Sequence, residues 1–131
     1  MPSYLMVDEM PGEHKVEASS GLHLIDSLHW GYSIATSNMM MSGRARGSTL
    51  SFKRKVDVTS PDFFLAGLQR RSFELWKIYF HRTGSTGQSN YFLIAAYNVH
   101  ITSYEVDDLG DIPIETIGIS YTQIGITAWR F

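Results

Sequence analysis

The sequence contains no cysteine, which rules out thiol catalysis, disulfide bracing and any zinc site built on thiolates. It also lacks an excess of positive charge: 11 Lys and Arg stand against 13 Asp and Glu, a formal net charge of −2. So balanced a chain gives no footprint for nucleic acid or for an anionic membrane surface. No apolar run approaches the roughly 20 residues of a membrane-spanning helix. Asp8 and Glu9 follow directly on Leu5, Met6 and Val7, so the start lacks the basic and apolar segments of a secretory leader. Export, if it occurs, is expected by a route without a cleaved signal. No Gly-x-Ser-x-Gly elbow, His-Glu-x-x-His helix or P-loop is present. With 131 residues, 44% hydrophobic and 18% charged, the composition predicts one globular domain over 1–131.

What the chain does have is β-type periodicity. A short apolar run, Ser3 to Val7, comes first. From Leu22 to Tyr32 the residues alternate. Leu22, Leu24, Leu28, Trp30 and Tyr32 share one face; His23, Ile25, Ser27, His29 and Gly31 share the other, broken only by Asp26. Leu50 to Val58 alternates again, with Leu50, Phe52, Val56 and Val58 against Ser51, Lys53, Lys55 and Asp57. Ser72 to His81 is apolar on both faces, as in a strand covered on two sides. Tyr91 to Tyr104 and Ile112 to Trp129 are β-branched and aromatic, and they flank an acidic turn holding Asp107, Asp108 and Asp111. In the last run the apolar phase slips, so a bulge is expected near Thr122 and Gln123.

Two stretches depart from this pattern. Ile34 to Gly47 has no period, and it reads as a long loop of the kind that often carries function. Ser60, Pro61 and Asp62 give an N-cap, a first helical residue and an acidic first turn. The short helix they start places Phe64, Leu65 and Leu68 on one apolar face and ends near Arg70 and Arg71. The order is strand, strand, strand, helix, strand, strand, strand. It predicts a mostly β fold, a barrel or sandwich of about six or more antiparallel strands with one short α-helix plugging a side. The expected core includes Leu28, Trp30, Phe52, Phe64, Leu68, Trp76 and Ile78.

Chemistry is sparse. His23, Asp26 and His29 have the right types for a metal site, but Asp26 points away from both histidines. The histidines themselves are roughly 20 Å apart along a strand. No catalytic set, metal or cofactor is expected. Ser27, His29, Lys53 and Lys55 lie opposite the apolar faces, as a solvated sheet face or as a binding surface. Met39, Met40 and Met41 suit either a small local core or a contact with another subunit, since methionine adapts to irregular partners. Trp76, Ile78 and Phe80 read as core, with a side-to-side subunit contact as the other use.

The order of the motifs resembles the haemolysin-coregulated protein (Hcp) family, the tube proteins of type VI secretion systems. The matching pieces are Gly12-Glu13, Trp30-Gly31, the glycine-rich Ser42 to Gly47, the polar strand Ser51 to Asp57, and Ser60-Pro61. Arg82 to Gly84 and the closing runs Asn98 to Ser103 and Glu115 to Ile124 complete the set. The run Met39 to Met41 departs from the family, where glycine and serine are commoner. The resemblance implies an Hcp-like fold, shared with phage tail tubes. It implies a homohexameric ring, rings stacked into a tube, and partners that include a contractile sheath, a spike and small effector proteins held in the lumen. No catalytic activity, nucleic-acid binding or membrane insertion is implied. The chain would reside in the bacterial cytoplasm until firing, with no toxin domain fused after Phe131. In the family the residue before Trp-Gly lies near the lumen wall, which is His29 here, so Ser27, His29, Lys53 and Lys55 become cargo-contact candidates. Arg44 and Arg46 have the sign to pair with Asp107, Asp108 and Asp111 of a neighbouring subunit. Two rival readings remain open: a tail-tube protein of another contractile device, and a monomeric β-barrel ligand-binding or enzyme module using the histidine-bearing face.

Overall fold

The β-branched and aromatic runs form strands, and all the pairings between them are antiparallel in the computed structural model. Backbone is described for residues 3–7, 9, 10, 12, 14–16, 19–37, 40–47, 49–84, 87–108 and 110–129, and side chains for these except 14–16, 19, 20, 32–37, 40–47, 82–84 and 87–91. Four strands come first: β1 (Ser3–Met6), β2 (His14–Val16), β3 (Ser19–Ile25) and β4 (Ser27–His29). Then follow β5 (Tyr32–Ser37), β6 (Met40–Gly47), β7 (Leu50–Lys55) and the helix α1 (Ser60–Leu68). The chain ends with β8 (Ser72–Gly84), β9 (Gly87–Asp107), β10 (Ile114–Ser120) and β11 (Gln123–Ala128).

The main sheet runs β2-β3-β1-β8-β9-β10-β7-β4, with β11 also on β9. As ladders this is an open path, but both ends lie on one stretch of chain. Only Asp26 separates β3 from β4, and its N–H bonds the Lys53 carbonyl of β7 at 2.9 Å. The sheet therefore curls around one apolar cluster, drawn from β1, β3, β7, β8, β9, β10 and α1.

Three departures from strict alternation shape the sheet. At Asp26 the inward face changes parity: His23 and Ile25 are buried, Leu24 is exposed, and beyond the break Leu28 and Trp30 pack inward. The single face expected for Leu22 to Tyr32 is thus two half-strands of opposite phase. Across β8 and β9 the parity changes opposite Asn98, which holds a left-handed φ of 53°. Trp76 and Ile78 face in, and so does Phe73 on the far side of the change; Ile94 and Ala96 give way to Val99 and Ile101. The expected bulge in the last run is a break at Tyr121 and Thr122, where β10 ends and β11 begins on the same partner. A further register shift lies at Gly118/Ile119.

Three other expectations need correction. The aperiodic stretch 34–47 is not a loop: β5 and β6 pair as a separate two-stranded sheet. The N-cap position falls to Thr59 rather than Ser60, and its side chain makes no capping bond; Ser60 Oγ instead accepts from the Asp57 N–H at 3.0 Å. Phe64 and Leu68 are not core. They are 46% and 67% exposed, while Phe63 and Ala66 are buried. Phe63 packs edge-on to Trp76 and His23, and this fixes the rotation of the helix. Phe52, Trp76 and Ile78 are fully buried, and Leu28 and Trp30 pack against the same cluster.

Candidate functional site

Register brings the polar candidates together. Ser27 of β4 lies opposite Lys53 of β7, and His29 opposite Ser51. Lys53 lies opposite Thr116 of β10, and Thr116 opposite Glu105 of β9. Lys55, Ile114 and Asp107 form the next row, and Ser51, Gly118 and Ser103 another. Directly paired residues point to the same side of a sheet, so β4, β7, β10 and β9 present one outward wall. Ser27, His29, Lys53, Lys55, Ser103, Glu105 and Asp107 are all exposed on it. The wall is basic at β7 and acidic at β9, roughly 10 Å apart across the intervening strand. Alternation located the basic half; the acidic half was illegible because no local signal says that β9 lies two strands from β7. A Cβ at Gly118 would stand 2.3 Å from Ser103 Oγ and would turn that hydroxyl aside.

Asp107, Asp108 and Asp111 are exposed around the β9–β10 turn. Met39 lies outside the described residues, and Met40, Met41, Arg44 and Arg46 are described in backbone alone, within β6.

Behind the wall sits a buried ionic cluster that no sequence pattern singled out. Arg54 occupies an inward position of β7, between Phe52 and the helix, and is buried together with Glu115 and His23. Register places Arg54 directly opposite Glu115, with Nε 2.5 Å from Oε1. The contact is an ion pair whose N–H is not aimed along it. Tyr104 donates its hydroxyl to Glu115 Oε2 at 2.5 Å. Arg54 Nη2 is paired with Asp57 and bonded to Thr59 Oγ1 at 2.9 Å, and the Phe63 ring lies 4.9 Å from the guanidinium carbon. The cluster thereby clamps the β7–α1 turn and the helix onto the sheet.

The protonation states follow from the partners. His23 Nε2 faces the Met10 carbonyl at 2.7 Å, which can only accept, so Nε2 carries the hydrogen. Nδ1 then accepts from Arg54 Nη1 at 2.7 Å, and the ring is neutral. Burial pushes the His23 pKa below 6.5; the Met10 bond pulls it partly back and the Arg54 charge lowers it further. Burial would raise Asp57, but hydrogen bonds from the Thr59 hydroxyl and N–H and the Arg54 charge outweigh it and hold the pKa below 3.8. Burial, then the Glu115 hydrogen bond and charge, push Tyr104 up to about 12.

A lowered histidine pKa makes stability depend on pH. Between the folded and unfolded values the unfolded chain binds the extra proton, so stability is full above about 6.5 and falls as pH drops below it. The groups facing His23 are Arg54, Asp57 and Asp62, and the carboxylates act against the loss without reversing it. The slope is at most about 1.4 kcal/mol per pH unit for one proton. Asp57 adds a second loss below 3.8. Urea unfolding from pH 8 to 5 should show the first slope, and His23→Gln should flatten it, because an amide can still donate to Met10 and accept from Arg54. An unchanged slope in that variant would exclude His23 as its source.

Among the described residues no cluster of three or more His, Asp or Glu could hold a metal, and no helix is long and apolar enough to cross a membrane.

A family model described as "Type VI secretion system effector, Hcp" matches residues 4–127. No curated protein matches the sequence. Several solved structures share the fold. Hcp1 from the E. coli EAEC 042 pathovar is 18% identical, with 99% of each chain covered and a TM-score of 0.83. Hcp1 from Salmonella typhimurium is 14% identical, covering 98% of this chain and 86% of that one, at a TM-score of 0.81. The secreted protein Hcp3 from Pseudomonas aeruginosa is 12% identical, with 99% of each chain covered and a TM-score of 0.68.

Proposed function

Because the chain belongs to the Hcp family of type VI secretion tube proteins, we propose that it is a single-domain, non-catalytic subunit that closes into a hexameric ring, with rings stacking into the expelled tube. The family match over residues 4–127 carries this reading. The outward wall on β4, β7, β10 and β9 lines the lumen and holds small effector proteins. Its short polar groups and opposed charges suit transient contacts, and a tube that must release cargo needs a fast off-rate. The β5–β6 hairpin supports stacking, because a two-stranded sheet alone is marginal in water. Met40, Met41, Arg44 and Arg46 on it meet the next ring, with the acidic turn at Asp107, Asp108 and Asp111 as the complementary charge. Sheath and spike are the outer partners. The subunit waits in the bacterial cytoplasm until the tube is fired.

Native mass spectrometry and negative-stain images test the assembly. Six-fold rings and stacked tubes are the expected result, and a strict monomer at high concentration would favour the ligand-module reading. His29→Glu tests the wall. Co-purified effector should fall about tenfold, the worth of one good polar contact, while rings persist. Unchanged effector yield would remove His29 from the cargo surface.

A further inference from the structure

Among the described residues, two apolar surfaces stay uncovered and bear on the contact that closes the ring. Trp76 and Ile78 are fully buried in the chain's own core, so they have no surface to offer a neighbour.

The first surface is the outer side of α1. Phe63 and Ala66 face the core, yet Phe64, Leu65 and Leu68 are also apolar and point outward. A helix apolar on both sides belongs between two layers, and here one layer is missing. Between α1 and β9 runs a groove of about 210 Å³ lined by Phe64, Leu68, Ile101 and Tyr104, wide enough for one large side chain.

The second surface is at β11. Leu5, Ile78, Ile94 and Ile126 lie in one cross-strand row over β1, β8, β9 and β11. The first three are buried, whereas Ile126 is 58% exposed although it faces the same side. The core row therefore runs out into solvent at the sheet's edge. Trp129, 45% exposed, follows β11 directly. β11 contains no Lys or Pro, and among the described residues it pairs on one side only.

A closed ring of identical subunits needs two different patches that fit each other, one on each flank. We propose that the outer face of α1 in one copy packs on the uncovered β11 end of the next, with Ile126 and Trp129 seated against Phe64, Leu65 and Leu68. The pairing rests on the ring reading and supplies its side-to-side contact. It also gives each incomplete layer its missing cover. Both patches lie along β9 on either side of the Asn98 kink, roughly 30 Å apart by strand length, so one copy cannot satisfy itself.

The test uses Leu68→Glu and Ile126→Glu, each at a largely exposed position, with Leu65→Glu and Trp129→Glu as a second pair. Circular dichroism should show all four folded. Each variant alone should be monomeric, with ring affinity weakened on the order of 100-fold or more. A mixture of Leu68→Glu with Ile126→Glu should form a 1:1 dimer and nothing larger, since each partner retains the patch the other has lost. Rings that survive either variant, or a mixture that stays monomeric, overturn the pairing while leaving the ring reading intact. A wild-type chain that forms no rings removes both.

Discussion

Glu115→Leu should destabilise the chain by about 3 kcal/mol and Arg54→Met by about 5 kcal/mol, the lower and upper ends of what breaking a buried ion pair costs. The difference between them follows from what each leaves behind. Without Glu115, Arg54 keeps Asp57, Thr59, His23 and the Phe63 ring. Without Arg54, Glu115 is a fully buried carboxylate left with the hydrogen bond from the Tyr104 hydroxyl. Against a typical total of 5–15 kcal/mol for a domain, either loss is large. The double change Arg54→Met with Glu115→Leu should return to within about 1 kcal/mol of the wild type, because desolvation of both charges disappears with them. Urea unfolding at fixed protein concentration measures all three. If the singles were mild and the double equalled their sum, the pair would not be energetically coupled.

Gly12→Ala is expected to cost about 3 kcal/mol, at the severe end for an overpacked site. A Cβ there would stand 2.3 Å from the Leu22 carbonyl oxygen, 2.6 Å from its carbon and 2.7 Å from His23 Nδ1. Two of these are backbone atoms of β3 and cannot rotate away. Retreat of the turn would break the bond from Gly12 N–H to the Gly21 carbonyl (2.9 Å) and draw Met10 from His23. Gly110→Ala, with no atom within 4 Å of its Cβ, is the control and should be nearly neutral. Equal unfolding midpoints for the two variants would show that the turn yields freely.

Much of the architecture was readable in advance because β periodicity is local. The runs at Leu50, Ser72, Tyr91 and Ile112 needed only their own residues to be recognised as strands, and the phase slip before Ile124 marked a real interruption. What escaped depended on pairing. Arg54 sits in an apolar phase between Phe52 and Val56, and its meaning appears only when β7 is laid against β10 and Glu115 comes opposite. His23 was placed on a polar face because one continuous phase was assumed through Asp26. The helix was misjudged for the opposite reason. Phe64, Leu65 and Leu68 make a good apolar face, but Phe63 fills the aromatic cluster of Trp76, Phe52 and Phe73 first. Of the candidate surface, alternation found the β4–β7 half, and nothing local pointed to β9.

The facing charges on β7 and β10 also bear on how the polypeptide finds its alignment. Sliding one strand by two residues would keep every greasy group on the interior side and cost little in contact, so hydrophobicity alone does not forbid the mistake. The same slide would carry guanidinium and carboxylate about 7 Å apart along the ladder, stranding each in a dry interior. A misaligned pairing of these two strands is thereby penalised, which makes this single interaction a lock on their alignment.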